Sequence, residues 1–123
     1  MYMLHSPQEA YRKVDFDARV AGADPRQLLA LCFEQLISAL GSALYAAEHG
    51  DNRLKSHSLT RALTALTALQ MGVDRDQPIA PALLTLYEAA RRAVLDSVLE
   101  FDGAKIAAVR TDFAEIAGAF GKI

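Results

Sequence analysis

The sequence predicts an all-α protein: an antiparallel up-down four-helix bundle in a single domain, with a short N-terminal helix and cap segment ahead of it. Three observations predict it. The apolar residues are of the helix-favouring kind, 23 Ala and 17 Leu against 6 Val and 5 Ile, whereas a β-sandwich or barrel draws on β-branched and aromatic residues. Four long stretches repeat their apolar residues at helical spacing. The connections between them are short, about two to six residues, which favours antiparallel neighbours. A chain of 123 residues fits one domain, with residues 1–23 read as the cap segment and residues 24–123 as the bundle.

Each element has its own start and stop signals. Ser6-Pro7-Gln8-Glu9 has capping-box spacing with Pro at the first helical position, opening a short helix to about residue 14. Residues 16–23 read as a connecting stretch. Asp24-Pro25-Arg26-Gln27 repeats the start signal, and a stripe through Leu29, Cys32, Phe33, Leu36, Leu40, Ala43, Leu44 and Ala47 runs to a stop at His49-Gly50. The second long helix starts near Asp51 or Asn52 and carries Leu59, Ala62, Leu63, Leu66 and Leu69 before Gly72. After an acidic loop at residues 73–78, the third bears Ile79, Leu83, Leu86, Tyr87, Ala90, Val94, Val98 and Phe101, with Pro81 in its first turns and Asp102-Gly103 as its end. The last carries Ile106, Val109, Phe113, Ile116, Ala117 and Phe120 on one face.

Hydrophobic residues make up 52 % of the chain, more than so small a core needs. Placing each residue about 100° from the last leaves Leu28, Leu31, Leu84, Leu95 and Leu99 outside the stripes. Ala65 and Ala68, with Thr64 and Thr67, form a second, small-residue face on the second long helix. Bundle helices with two neighbours need wide apolar faces, which explains most such positions. The alternative is a groove for an apolar polypeptide, where small residues let a backbone approach and Leu residues form pockets.

Chemistry is sparse. The chain has no Gly-rich phosphate loop, no H-E-x-x-H, no nucleophile elbow and no C-x-x-C. Neither His49 nor His57 follows a Glu by three residues, as a di-iron bundle requires, so neither a metal nor a cofactor is expected. Cys32 lies in an apolar stripe, where a thiol is inert. As the single cysteine it points to a reducing compartment. Thirteen basic and 15 acidic residues, spread along the chain, give a net charge of −2 and no footprint for nucleic acid. Residues 1–9 lack the pattern of a signal peptide, and no apolar run approaches the roughly 18 residues of a membrane span. The expected location is the cytoplasm, without membrane insertion. His57, on a polar helix side before Leu59, supports one alternative, a histidine phosphotransfer protein; Arg61 stands where such proteins carry Gly. A bundle that binds some other client is a further alternative.

Taken in order, the motifs resemble the FliS family of flagellar export chaperones. The resemblance starts at Ala10-Tyr11 and continues through Ala23-Asp24-Pro25-Arg26-Gln27-Leu28-Leu29, Phe33-Glu34 and Glu48-His49-Gly50-Asp51. Arg61-Ala62 with Leu66, then Ile79-Ala80 with Leu83, Leu86 and Tyr87, and finally Asp102 complete it. Cys32, Gln35 and Val98 depart from the family's usual residues. The resemblance implies a binding module and not an enzyme. Its client would be the disordered C-terminal segment of flagellin, kept from premature polymerisation and presented to the flagellar type III export gate. It also implies that the segment carrying Tyr11 packs over the client groove until displaced. Tyr11, Leu28, Leu31, Ala65, Ala68, Leu84 and Leu95 are the expected flagellin-binding residues. The off-stripe Leu and Ala among them are expected to become buried only when the client is bound. The sequence leaves the oligomeric state open.

Overall fold

The computed structural model describes residues 7–120, with the side chains of residues 7–119. It is all-helical among the described residues: α1 (Pro7–Ala21), α2 (Pro25–Glu48), α3 (Asn52–Met71), α4 (Ala80–Leu99) and α5 (Gly103–Phe120). Ser6, the expected cap of α1, and the side chain of Phe120 lie outside the described residues. The chain divides into two compact units, Met1–Leu31 and Cys32–Ile123, with the division inside α2.

In the first unit, α1 runs to Ala21 and so takes in most of the stretch expected to be a connection. The apolar pattern breaks at Asp15 and Asp17, but Lys13 and Asp17 pair one turn apart at 3.1 Å, and Arg19 sits in the last turn where a cation favours the helix dipole. No residue of α1 is buried. The start of α2 is a reciprocal capping box. Asp24 Oδ1 accepts from the Gln27 amide at 2.8 Å, while Gln27 Oε1 accepts from the Asp24 amide at 2.9 Å. Asp24→Ala is expected to lower stability by about 1 kcal/mol, read as a shift of the urea midpoint.

In the second unit, one turn both stops α2 and starts α3. Gly50 takes φ +67°, the left-handed conformation that glycine adopts without a Cβ clash. The Asp51 amide reaches back to the Ala46 carbonyl at 2.9 Å and the Gly50 amide to that of Ala47 at 3.4 Å, a Schellman stop. Asp51 Oδ1 then accepts from the Leu54 amide at 3.0 Å and caps α3. Pro81 lies at the first positions of α4, as expected.

The end of α4 differs from the expectation. The helix stops at Leu99, Glu100 is extended, and Phe101 belongs to the connection. Asp102 is a start signal and not a stop. Its carboxylate accepts from the Lys105 amide at 3.1 Å and caps α5, while its own amide donates to Ser97 Oγ at 3.2 Å. Phe101 still packs against the core, with Lys55 Nζ lying 5.4 Å from its ring centre.

The core of this unit draws on the rest of α2 and on α3, α4 and α5. At its centre Phe33, Tyr87 and Phe113 meet. Phe33 stands edge-on to Phe113 at 5.7 Å and to Tyr87 at 6.5 Å, and Tyr87 and Phe113 stack at 6.1 Å. Leu36, Leu40, Leu66, Val94 and Ile106 surround them, fully buried. Arg91 donates to Thr67 Oγ1 at 2.9 Å and Gln70 to Glu88 at 3.2 Å. Numbers therefore rise along α3 as they fall along α4, so these two helices run antiparallel. Arg110 lies across Gly41, donating to the Ile37 carbonyl at 3.4 Å, and a Cβ on Gly41 would stand 3.1 Å from its Nε.

The expectation that no segment could span a membrane is corrected for α2, which is long and apolar enough by length and composition. Ser38, Gly41 and Ser42 interrupt its apolar run without making it polar on average. Leu36, Ala39, Leu40 and Ala43 place this helix in the core, which accounts for its apolar character.

Candidate functional site

The expected binding residues fall into three groups by exposure. Tyr11 is 77 % exposed and Leu95 45 % exposed; Ala68 is exposed too, and Leu28 and Leu84 are half-buried. Leu31 and Ala65, by contrast, are 6 % and 4 % exposed without any client. The expectation that these two become buried only on binding is therefore corrected. Ala65 shares a buried row with Ser58, Ala62 and Leu69, which widens the core face of α3 beyond the Leu seam. On α2 the expectation is inverted: off-stripe Leu31 is buried, while Leu29, on the stripe, is 36 % exposed. At a helix start, the side that is covered depends on packing that periodicity does not encode.

An open groove of about 760 Å³ lies between α4 and α5. Leu84, Ala89 and Ala93 form one wall and Ala108 and Val109 the other. Its charges are Glu88, Arg92, Asp96, Lys105 and Asp112. Arg92 pairs with Glu88, and Lys105 with Asp96, each at 3.9 Å. Leu84 is the expected binding residue that lines this groove. Beyond it, at the C-terminal end of α4, Val98 is 54 % and Leu99 92 % exposed. The expectation missed the α5 wall, because Ala108 reads as an ordinary helix filler; the available signal was the i, i+4 pair Ala89 and Ala93 on the side of α4 away from its core stripe.

Groups able to do chemistry are elsewhere and poorly placed for it. Cys32 is half-buried against the core, and burial pushes its thiol above the ordinary range. Burial, and secondarily Cys32, likewise pushes up the Tyr87 hydroxyl. Iodoacetamide is expected to label Cys32 about tenfold more slowly in the folded chain at pH 8 than in urea. Both groups hold their protons more tightly folded than unfolded. Stability is therefore unaffected below their unfolded pKa values and falls as pH rises through the alkaline range, which denaturant titrations between pH 7 and 10 would register. His57 is half-buried and makes an interaction within the fold. Among the described residues no group of three His, Cys, Asp or Glu is placed to hold a metal.

These features define a helical domain with an open groove, largely apolar, between α4 and α5. The model of the family described as flagellar protein FliS matches residues 7–123. The flagellar secretion chaperone FliS of Salmonella typhimurium (strain LT2) is 31 % identical over 118 residues, covering 94 % of this chain and 87 % of that protein. The chain belongs to the FliS family, which are chaperones of flagellum biogenesis and not enzymes.

Proposed function

We propose that this protein is a cytoplasmic export chaperone for flagellin. It binds the disordered C-terminal segment of flagellin, keeps the subunit from polymerising early, and delivers it to the flagellar type III export apparatus. The observation that carries this reading is an open apolar groove on a FliS-family fold, flanked by aliphatic side chains left in water. Leu84, Leu95, Ala68, Leu28 and Tyr11 are the side chains that meet the client in this reading, with Leu31 and Ala65 supporting them from within. The helices after residue 24 form an up-down bundle, and the segment bearing Tyr11 competes with the client for part of its surface. An amphipathic ring such as Tyr11 suits that exchange, since its body can bury while its hydroxyl stays wet.

Gel filtration of the protein mixed with a flagellin C-terminal fragment tests the reading. A stable complex is expected, with calorimetry giving a large negative heat-capacity change as the segment folds onto apolar surface. A fragment that elutes separately at tens of micromolar would overturn it. Removing residues 1–16 should strengthen or speed binding; unchanged calorimetric binding would remove the competition by Tyr11.

A further inference from the structure

We propose that Arg110 and Gly41 form a strap and notch that fix α5 against α2, and that this contact sets the opening of the α4–α5 groove from the far side of α5. The proposal concerns the chain alone and needs no client. Gly41 stands in the interior of α2, where glycine is less favourable than alanine because its backbone has more freedom to lose. Arg110 occupies the room that a side chain would take. A Cβ at position 41 would lie 3.1 Å from its Nε and 3.2 Å from its Cζ and Nη2, and these three guanidinium atoms would be the nearest neighbours of that Cβ. The guanidinium therefore rests across the glycine. Its Nε donates to the Ile37 carbonyl at 3.4 Å, the same carbonyl that takes the helical N–H of Gly41. That bond is long, and the closer contact is the planar group lying on bare backbone. Arg110 has no ion-pair partner among the described residues, so no carboxylate accounts for its position.

The place of Arg110 on α5 gives the contact its leverage. Ile106 and Phe113 mark the buried stripe of that helix. At about 100° per residue, Arg110 falls on one side of the stripe. Ala108 and Asp112, which line the groove, fall on the other. Helix α5 thus sits between the strap and the groove. Holding it towards α2 keeps the groove open, and releasing it lets it settle towards α4.

The test compares thermal melts of the full chain carrying Gly41→Ala, Arg110→Ala or both. Alone, Gly41→Ala is expected to leave Tm unchanged or lower it, since the new methyl displaces the guanidinium. In the Arg110→Ala background the same change is expected to raise Tm by about 4 °C, the ordinary gain of alanine over glycine inside a helix of a domain this size. An equal rise in both backgrounds overturns the strap. In native-state hydrogen exchange, Arg110→Ala is expected to speed the α5 amides of residues 107–113 about threefold and to leave those of α3 unchanged. Equal acceleration of both helices would mean a general loss of stability, and would also overturn it. Nitroxides at Arg92 and Asp112, exposed on the two rims, report the groove opening in a Cys32→Ala chain. Their separation is expected to shorten with Arg110→Ala; an unchanged separation overturns the link to the groove.

Discussion

Phe33→Ala is expected to remove about 3–5 kcal/mol of stability, because its ring stands at the aromatic centre of the core. The ring is 1 % exposed and meets both Tyr87 and Phe113 edge-on, so its removal leaves a cavity bordered by two rings that cannot both move into it. Helices α2, α4 and α5 each contribute one ring to this cluster, and the loss therefore removes two of its three ring contacts together. Urea unfolding followed by circular dichroism would show a lower midpoint and little change of slope. A variant that lost the slope as well would have given up cooperative packing. Phe33→Leu, which keeps most of the apolar volume, is expected to recover more than half of the loss.

Two buried serines are expected to respond to alanine with opposite signs. Ser58 on α3 is 0 % exposed, and its hydroxyl has no hydrogen-bond partner among the described residues. Ser58→Ala removes a desolvated polar atom and improves helix propensity, so a gain of about 1–2 kcal/mol is expected. Ser97 on α4 is 1 % exposed, yet its Oγ accepts from the Asp102 amide and fixes the turn into α5. Ser97→Ala leaves that amide without its acceptor, and a loss of about 1–2 kcal/mol is expected. Thermal melts of the two variants side by side give the comparison, and equal shifts of the same sign would refute it.

Local chemistry made much of the fold legible from sequence. Pro25, Gly50 and Asp51 mark boundaries that the structure keeps, because a proline nitrogen, a left-handed glycine and a capping carboxylate act over three or four residues. Asp102 shows the limit of the same logic: a carboxylate before glycine can end one helix or begin the next, and here the Lys105 amide decides. The end of α1 was hidden because Asp15 and Asp17 interrupt its apolar pattern while Lys13 supports the helix from its exposed side. The resemblance to FliS, carried by Ala10-Tyr11 at one end and Leu83, Leu86 and Tyr87 towards the other, agrees with the family match. The candidate surface was legible only in part. Leu84 stands out in the sequence because it is large and off-stripe, and it lines the groove; Leu95, off-stripe too, is exposed on α4 outside that lining. Ala93, Ala108 and Asp112 escaped notice because a groove between two helices depends on how α4 and α5 approach each other, which neither helix specifies alone.

Phe33 leaves the ribosome well before Tyr87 and long before Phe113, its two aromatic partners. At roughly 5–20 residues per second the interval to Phe113 is about four seconds or more. Through that time α2 and α3 can pair, since one tight turn joins them, but the aromatic centre of the core has no lid. Completion of this chain is thus a late, long-range event, and the nascent hairpin needs protection from aggregation during synthesis. A member of a chaperone family thus spends its own first seconds with apolar surface uncovered.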